Sequence, residues 1–180
     1  RDTFQQDLPI TNLNLHNCSI NKIEPGAFKG MNNLNELNLE FNQLTSIDIK
    51  QLDIPSLRTL RVGNNNFTLI VEAVFDKLPS LQSLGMEHCN IQQLPSLTFG
   101  KNTNLVKIDL SFNQLKAISR NVFSGLNVFK ELRLAGNLIT EFPHIPLYNI
   151  STLETLILAN NTLTNVDFFK LNGLPNLRYL

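Results

Sequence analysis

The histidines, the cysteines and a pair of carboxylates are the side chains of this sequence best suited to catalysis or metal binding. His16, His88 and His144 fall in distant parts of the chain, whereas a catalytic site gathers its acid, base or nucleophile in one pocket. None of the motifs H-x-x-x-H, C-x-x-C, G-x-x-x-x-G-K and G-x-S-x-G occurs, so metal, phosphate-loop and hydrolase sites lack their minimum parts. Glu36 and Glu40 have a spacing that suits a carboxylate pair, although such residues are more typical of a solvated strand face. We therefore expect no enzyme: no catalytic residue, no metal site and no cofactor.

Four N-x-S/T sequons make asparagine-linked glycosylation a second candidate chemistry. They are Asn17-Cys18-Ser19, Asn66-Phe67-Thr68, Asn149-Ile150-Ser151 and Asn160-Asn161-Thr162. Their number is close to what chance gives in a chain this rich in asparagine. None of the four asparagines falls on an apolar column of the repeat described next. Each would accept a glycan if the chain passes through the secretory pathway, and each is equally explained as a plain turn asparagine.

The elements that position these side chains follow from a repeat of 24 residues, which is one residue shorter in its second copy. Its pattern is Leu-x-x-Leu-x-Leu-x-x-Asn/Cys-x-Leu, the signature of the leucine-rich repeat. The first position is apolar in every copy: Ile10, Leu34, Leu57, Leu81, Leu105, Phe129, Leu153 and Leu177. We predict one leucine-rich-repeat domain over 1–180, with repeats 10–33, 34–56, 57–80, 81–104, 105–128, 129–152 and 153–176 and a partial repeat 177–180. The unfinished last copy indicates a fragment of a longer array.

The spacing within a repeat predicts a short strand. The last two leucines of Leu-x-x-Leu-x-Leu are two residues apart, so they point to the same face while the residue between them points away. Stacked repeats therefore predict an α/β-type repeat solenoid, a horseshoe with a parallel β-sheet on its concave face and irregular or short 3-10 segments on its convex face. Ile47 belongs to a return column that should fill the far side of the core. Asn102 interrupts another return column and predicts a looser spot on the convex side.

Both cysteines fall in the column that asparagine otherwise occupies. Cys18 and Cys89 are three repeats apart, which places them roughly 14 Å from one another if neighbouring strands are separated by about 4.8 Å. A disulfide requires Cα atoms within about 7 Å. We predict two free, buried thiols and no disulfide.

The outward strand positions predict a binding surface on the concave face. The ligand-binding candidates are Glu40, Arg61, Glu87, Asp109 and Arg133. Gly63 and Gly85 remove side-chain bulk between them, which predicts a shallow, charged depression. Arg61 would either pair with a carboxylate or phosphate of a ligand, or serve only to neutralise Glu40 and Glu87. Phe41 and Phe112 lie at the sheet edge, where an aromatic side chain either anchors a partner or fills space.

Composition excludes further classes of partner. Fifteen basic and fifteen acidic residues balance, whereas a nucleic-acid binder normally carries a concentrated basic face. We therefore predict no nucleic-acid partner. No apolar stretch is long enough to cross a bilayer, so this segment should not contact a membrane. The chain starts at Arg1 without a signal peptide, which is compatible with the removal of one.

Several residues carry a resemblance to a known class of repeat. The phenylalanines Phe28, Phe75, Phe99 and Phe123, and the segment Leu110-Ser111-Phe112-Asn113-Gln114-Leu115, resemble the extracellular class of animal leucine-rich repeats over residues 10–180. That class includes the ectodomains of Toll and Toll-like receptors, insect leucine-rich immune proteins, neuronal adhesion receptors and small proteoglycans. The resemblance implies a glycosylated protein that is secreted or exposed on the cell surface and that binds proteins or other macromolecules.

Three functions follow as hypotheses from this resemblance. The first is a non-catalytic recognition module in innate immunity or receptor signalling, located outside the cell, whose partner is a protein or other macromolecule. A second leucine-rich-repeat chain, in a homo- or heterodimer, is a further partner to consider. The alternative is a cell-adhesion or extracellular-matrix module. The third hypothesis is a spacer whose own surface binds nothing.

Overall fold

The computed structural model describes residues 9–119, 121–142, 150–166 and 168–180. Its main strands are β1 (Asn12–Asn14), β2 (Glu36–Asn38), β3 (Thr59–Arg61), β4 (Ser83–Gly85), β5 (Lys107–Asp109), β6 (Glu131–Arg133) and β8 (Thr155–Ile157). These seven form one parallel sheet in chain order. The short strands β7 (Glu141–Phe142) and β9 (Asn165–Val166) form a separate parallel pair. Helical structure in the described residues comprises α1 (Ser46–Ile49) and a 3-10 helix, Phe168–Gly173.

The register of the sheet repeats from strand to strand. Leu13 lies opposite Leu37, and Leu37 opposite Leu60. The central residue of each strand from β2 to β6 and of β8 is buried, whereas the flanking residues are half-buried or exposed. One side chain per strand therefore enters the core, and its two neighbours face outward on the concave side. The predicted leucine-rich-repeat horseshoe with a parallel sheet is confirmed.

Buried asparagines tie successive repeats together where each strand ends. The side-chain amide of Asn42 donates to the carbonyl oxygens of Leu15 and Leu39, both at 2.9 Å. Its oxygen accepts the backbone N–H groups of Cys18 at 3.1 Å and Ile20 at 2.8 Å. Donation to the carbonyls of two successive repeats recurs at Asn65, Asn113, Asn137 and Asn161. Since a buried backbone group without a partner is costly, this ladder fixes where each repeat turns away from the sheet.

Asn102 also links two repeats through side-chain hydrogen bonds, and the expectation of a looser spot there is wrong. Its side chain is fully buried. The amide nitrogen donates to the carbonyl oxygens of Phe75 at 3.0 Å and Leu78 at 2.8 Å. Next to it, the rings of Phe75 and Phe99 stack with centroids 5.7 Å apart, and a comparable stack joins Phe99 to Phe123 at 6.1 Å. The convex side is therefore closely packed around the asparagine.

Repeat 2 departs from the pattern, and the predicted burial of Ile47 is wrong. Its side chain is 62% exposed. Thr45 begins α1 in a capping box with Asp48, whose Oδ2 accepts the backbone N–H of Thr45 at 2.8 Å. The same oxygen also accepts the Thr45 hydroxyl at 2.7 Å. The helical turn that follows directs Ile47 to solvent and places Ile49 in the core. Asp48 also accepts the backbone N–H of Ile23 at 3.3 Å, which ties the helix to repeat 1.

The two cysteines have different environments. Cys89 is fully buried, and burial raises the pKa of its thiol to about 12. Cys18 is exposed, so the prediction of a buried thiol there is wrong. It belongs to the first described repeat, whose apolar residues, such as Leu13 and Leu15, are themselves only partly buried. Both thiols are free.

Some predicted features lie outside the described residues. They are His144, the sequon asparagine Asn149, and the first eight residues of the predicted domain 1–180.

Candidate binding surface on the concave sheet

Strand alternation places all five candidate residues on the concave face. Arg61, Asp109 and Arg133 end their strands, whereas Glu40 and Glu87 come two residues after theirs. The two arginines are exposed and the three carboxylates are half-buried. The geometry divides this set into side chains that already have partners and side chains that do not.

Glu87 fills the depression that the two glycines leave. A Cβ atom on Gly63 would lie 3.0 Å from Glu87 Cδ, and one on Gly85 would lie 3.1 Å from Glu87 Oε2. The side chain of Glu87 therefore lies over the backbone of both glycines. Its Oε2 atom is buried and has no hydrogen-bond partner within the described part of the chain. Burial, the largest cause, together with the charges of Asp109 and Glu40, raises the pKa of Glu87 above its usual value, against the hydrogen bond to its own backbone.

Arg61 forms no ion pair with Glu40, Glu87 or Asp109 within the described residues. It belongs to the lining of a shallow basin over β1 to β3, together with the polar side chains Asn12, Asn14, Glu36, Asn38 and Thr59. Within residues 9–119, 121–142, 150–166 and 168–180, its guanidinium makes no hydrogen bond and no ion pair. No ion pair in the described residues therefore supports the interpretation that Arg61 only neutralises Glu40 and Glu87.

Arg133 is already engaged. Its Nε–H donates to Glu131 Oε1, and Lys107 Nζ lies 3.2 Å from the same oxygen. Partial burial opposes ionisation of Glu131, but hydrogen bonds from Arg133 and Lys107 outweigh it and lower the pKa of this carboxyl. A ligand anion would have to compete with Glu131 for Arg133, which makes Arg61 the more available arginine of the two.

Asp109 shares its role with two asparagines at the same strand position. Its Oδ1 accepts the backbone N–H of Ser111 at 3.0 Å. Asn14 and Asn38 accept the backbone N–H two residues on in the same way, at 3.1 and 2.9 Å. Asp109 thus helps to shape the end of its strand, and only part of its acceptor capacity remains for a ligand.

A row of rings borders the acidic residues. Phe41, His88 and Phe112 occupy the same position of repeats 2, 4 and 5, and all three have left-handed backbone, with φ of 56°, 55° and 57°. We call these three residues the aromatic row. The rings of His88 and Phe112 stack with centroids 4.6 Å apart and planes 4° from parallel. Phe41 and Phe112 are 50% and 49% exposed.

The sequence places His16 on the concave face but does not predict its contact with Phe41, and the sequence interpretation missed His88 as part of this surface. His16 packs on Phe41, with ring centroids 4.9 Å apart, and its Nδ1 lies 3.8 Å from Glu40 Oε2. The sequence spacing could have identified His88, because it precedes Phe112 by one repeat length and therefore must lie beside it. Taking the histidines as isolated candidate bases concealed their place next to the phenylalanines.

Three of the four sequon asparagines lie within the described residues, and all three are exposed. Asn17 and Asn160 have left-handed backbone, with φ of 54° and 56°, and extend the line of the aromatic row at its two ends. Asn66 lies near Thr68, whose hydroxyl donates to Asn66 Oδ1 at 2.7 Å.

Neither a metal site nor a membrane-spanning helix is found in the described residues. No cluster of three or more histidine, cysteine, aspartate or glutamate side chains there is arranged to hold a metal ion. None of the helices described is long and apolar enough to span a membrane.

Known proteins share both the sequence pattern and the fold. The chain matches the family described as BspA-type leucine-rich-repeat region, in six copies, over residues 1–130 and 56–177. Lumican from Gallus gallus is 36% identical over 151 residues, which are 79% of this chain and 42% of lumican. A probable glycoprotein hormone G-protein coupled receptor from Anthopleura elegantissima is 31% identical over 166 residues, 91% of this chain and 17% of the receptor. The chain thus spans less than half the length of either relative.

A solved structure with the same fold is the complex of TLR13 with the single-stranded RNA ssRNA13. It superposes with a TM-score of 0.82 over 93% of this chain and 24% of TLR13, at 24% sequence identity. At that identity the likeness concerns the fold alone.

Proposed function

Because the chain belongs to the leucine-rich-repeat family, we propose that it is a non-catalytic recognition module of a secreted or cell-surface protein. Its concave sheet binds a protein or another macromolecule. The observation that carries this proposal is the free guanidinium of Arg61 on a face where Lys107 and Arg133 are both paired with Glu131. An exposed arginine that neither packs in the core nor pairs on the surface is available to a carboxylate or phosphate of a partner.

Receptor-type recognition in innate immunity is the function we place first. The match to a probable glycoprotein hormone G-protein coupled receptor of Anthopleura elegantissima supports a receptor, and the resemblance of the repeats to Toll-like receptor ectodomains suggests innate immunity. An extracellular-matrix or adhesion module is the second candidate, because lumican matches at 36% identity. A membrane span followed by a signalling domain in the complete protein would favour the first.

The charges of the concave face favour a protein over a nucleic acid as the partner. Glu40, Glu87 and Asp109 project from the middle of this surface, whereas nucleic-acid binding relies on cations placed along a phosphate backbone. A protein can present both signs of charge, an anion to Arg61 and a cation to the carboxylates. A second leucine-rich-repeat chain, in a homo- or heterodimer, is one such protein. We propose an extracellular location, in which the exposed sequon asparagines are available for glycosylation.

The experiment that tests the proposal compares three variants of the chain. Immobilised wild-type protein is screened against a panel of purified extracellular proteins and glycans, and each hit is measured again with Arg61→Ala, Arg133→Ala and Lys101→Ala. Lys101 is exposed on the return side of repeat 4 and serves as the matched control. Melting curves establish that every variant is folded.

We expect Arg61→Ala to weaken binding at least about tenfold, as for a central arginine of an interface, while its melting temperature stays near that of the wild type. Arg133→Ala should have a smaller effect, and Lys101→Ala none. Equal binding by Arg61→Ala and wild type would place the ligand elsewhere on the chain. Absence of any hit from the whole panel would favour the spacer hypothesis.

A further inference from the structure

Two carboxyl groups approach each other over the backbone of Gly63. The side chain of Glu87 reaches from repeat 4 across repeat 3, where a Cβ on Gly63 would lie 3.0 Å from its Cδ and 3.1 Å from its Cγ. Glu40, Gly63 and Glu87 hold the same position of repeats 2, 3 and 4, so the side chain of Glu87, which leans over Gly63, brings its carboxyl toward that of Glu40. One oxygen of Glu87 is buried without a partner in the described residues. The side chain of Glu40 is only 17% exposed.

The cations of the neighbouring strands do not neutralise this pair. Arg61 projects from the intervening strand, β3, but contacts neither carboxylate. Lys107 on β5 is paired with Glu131. Asp109, also on β5, adds a further negative charge that acts on Glu87.

The two histidines of this surface are placed outside the pair. His16 Nδ1 is 3.8 Å from Glu40 Oε2, beyond a normal hydrogen bond. His88 follows Glu87 in the chain, and its ring stacks on that of Phe112. Neither imidazole stands between the two carboxyl groups.

We propose that Glu40 and Glu87 share a single proton across Gly63, so that the concave face changes by one unit of charge in mildly acidic solution. This goes beyond the proposed function and requires no partner. Two half-buried carboxylates on either side of one glycine, with no lysine or arginine partner among the described residues, repel one another, and a proton between them removes the repulsion. It also creates an O–H···O hydrogen bond to an ionised acceptor, which is stronger than a neutral one.

The direct test is a nuclear magnetic resonance titration of the chain labelled with ¹³C in its glutamate carboxyl groups. Glu87→Gln, Glu40→Gln and Glu36→Gln assign the three signals. Glu36 lies on β2 and is exposed, which makes it the reference glutamate and the control variant. The titration runs from about pH 3 to 8, which covers the usual range for glutamate and values raised above it.

We expect Glu87 to titrate at a higher pH than Glu36, and the signals of Glu40 and Glu87 to follow each other's titration steps, as coupled groups do. Glu40→Gln should lower the midpoint of Glu87, whereas Glu36→Gln should leave it unchanged. A Glu87 midpoint equal to that of Glu36 would overturn the proposal. A raised midpoint that Glu40→Gln does not move would also overturn it, because burial alone would then explain the shift.

Unfolding by urea at a series of pH values gives an independent readout. The raised pKa of Glu87 means that the folded chain holds its proton more tightly than the unfolded chain does. Its contribution to stability is therefore complete below the ordinary glutamate value of 4.5 and is lost as the pH rises through the raised value. Glu87→Gln and Glu40→Gln should each remove most of this loss, and the double variant should remove no more than either one. Additive effects of the two substitutions would contradict a shared proton.

Discussion

Glu87 occupies the space that two glycines leave open, and the two glycines differ in how closely they are enclosed. At Gly63 a Cβ would meet Glu87 Cδ at 3.0 Å and also the backbone oxygen of Glu87 at 3.1 Å. That oxygen accepts the N–H of Asn64 at 2.8 Å, so it cannot move without disturbing the link between β3 and β4. At Gly85 the only atom within 3.4 Å is Oε2, the mobile end of the same side chain.

The first prediction follows from this difference. Gly63→Ala should destabilise the chain by about 1–3 kcal/mol, as expected for overpacking against a fixed backbone. Gly85→Ala should stay within about 0.5 kcal/mol, because only the end of one flexible side chain has to shift to make room. Urea denaturation of both variants measures the two costs. Equal costs would contradict the position of Glu87 over both glycines.

Thiol reactivity is the second prediction at this scale. Cys18 is exposed and should react with a thiol reagent in the native protein. Cys89 is fully buried, and burial raises its thiol pKa to about 12, so it should react only after unfolding. Ellman's reagent, added before and after denaturation, should count one thiol and then two. Rapid modification of both thiols in the native state would contradict the packing of repeat 4.

Repeat 2 marks what an apolar pattern can and cannot predict about an element. The column positions predicted every strand of the main sheet, because one apolar residue in each must be buried at a constant spacing. Ile47 was assigned to the core by the same spacing. The capping box between Thr45 and Asp48 is a local signal that acts over only three residues, and it rotates Ile47 out of the column. An explicit search for helix starts would have detected this exception.

The sequence also predicts the binding surface only in part. Alternation indicates which side chains face outward, and so it identified Glu40, Arg61 and Glu87 as neighbours. It does not determine the direction that a long side chain takes once outside. Arg61 lines the basin over β1 to β3, whereas Glu87 lies across two glycines, one of them in the preceding repeat, and strand alternation predicts neither placement.

The asparagine ladder allows a prediction about element stability. Asn113 Oδ1 accepts the N–H groups of Cys89 and Ile91, both at 3.0 Å, and its amide donates to two carbonyls. Asn113→Ala should cost about 2–5 kcal/mol, because each buried donor left without a partner costs about 1–3 kcal/mol. Cys89→Ala, at the same position one repeat earlier, should cost about 1 kcal/mol, as for a typical small truncation. Chemical denaturation of both variants measures their free energies of unfolding. Equal losses of this free energy would show that the asparagine only fills space.

One edge of the concave sheet carries both the aromatic row and two of the sequon asparagines. Asn17 and Asn160 stand at the two ends of the line that contains the aromatic row, in repeats 1 and 7. Six strand spacings of about 4.8 Å separate them by roughly 29 Å. Glycans at these two ends would leave repeats 2 to 6 open, where Arg61, Glu87 and the aromatic row lie. Glycosylation at these two asparagines is therefore compatible with recognition by repeats 2 to 6.

Glycan occupancy is the prediction that applies to the molecule as a whole. If an animal cell secretes the chain, at least two of Asn17, Asn66, Asn149 and Asn160 should carry a glycan, because the three that the structure describes are all exposed. Asn66 is the strongest candidate, since the Thr68 hydroxyl already contacts its side chain at 2.7 Å. Peptide mass spectrometry before and after glycosidase treatment measures each site. Thr68→Ala serves as the matched control, because it removes the sequon and keeps the asparagine. Unmodified asparagine at all four positions in secreted material would exclude the glycoprotein assignment and leave these residues as turn formers.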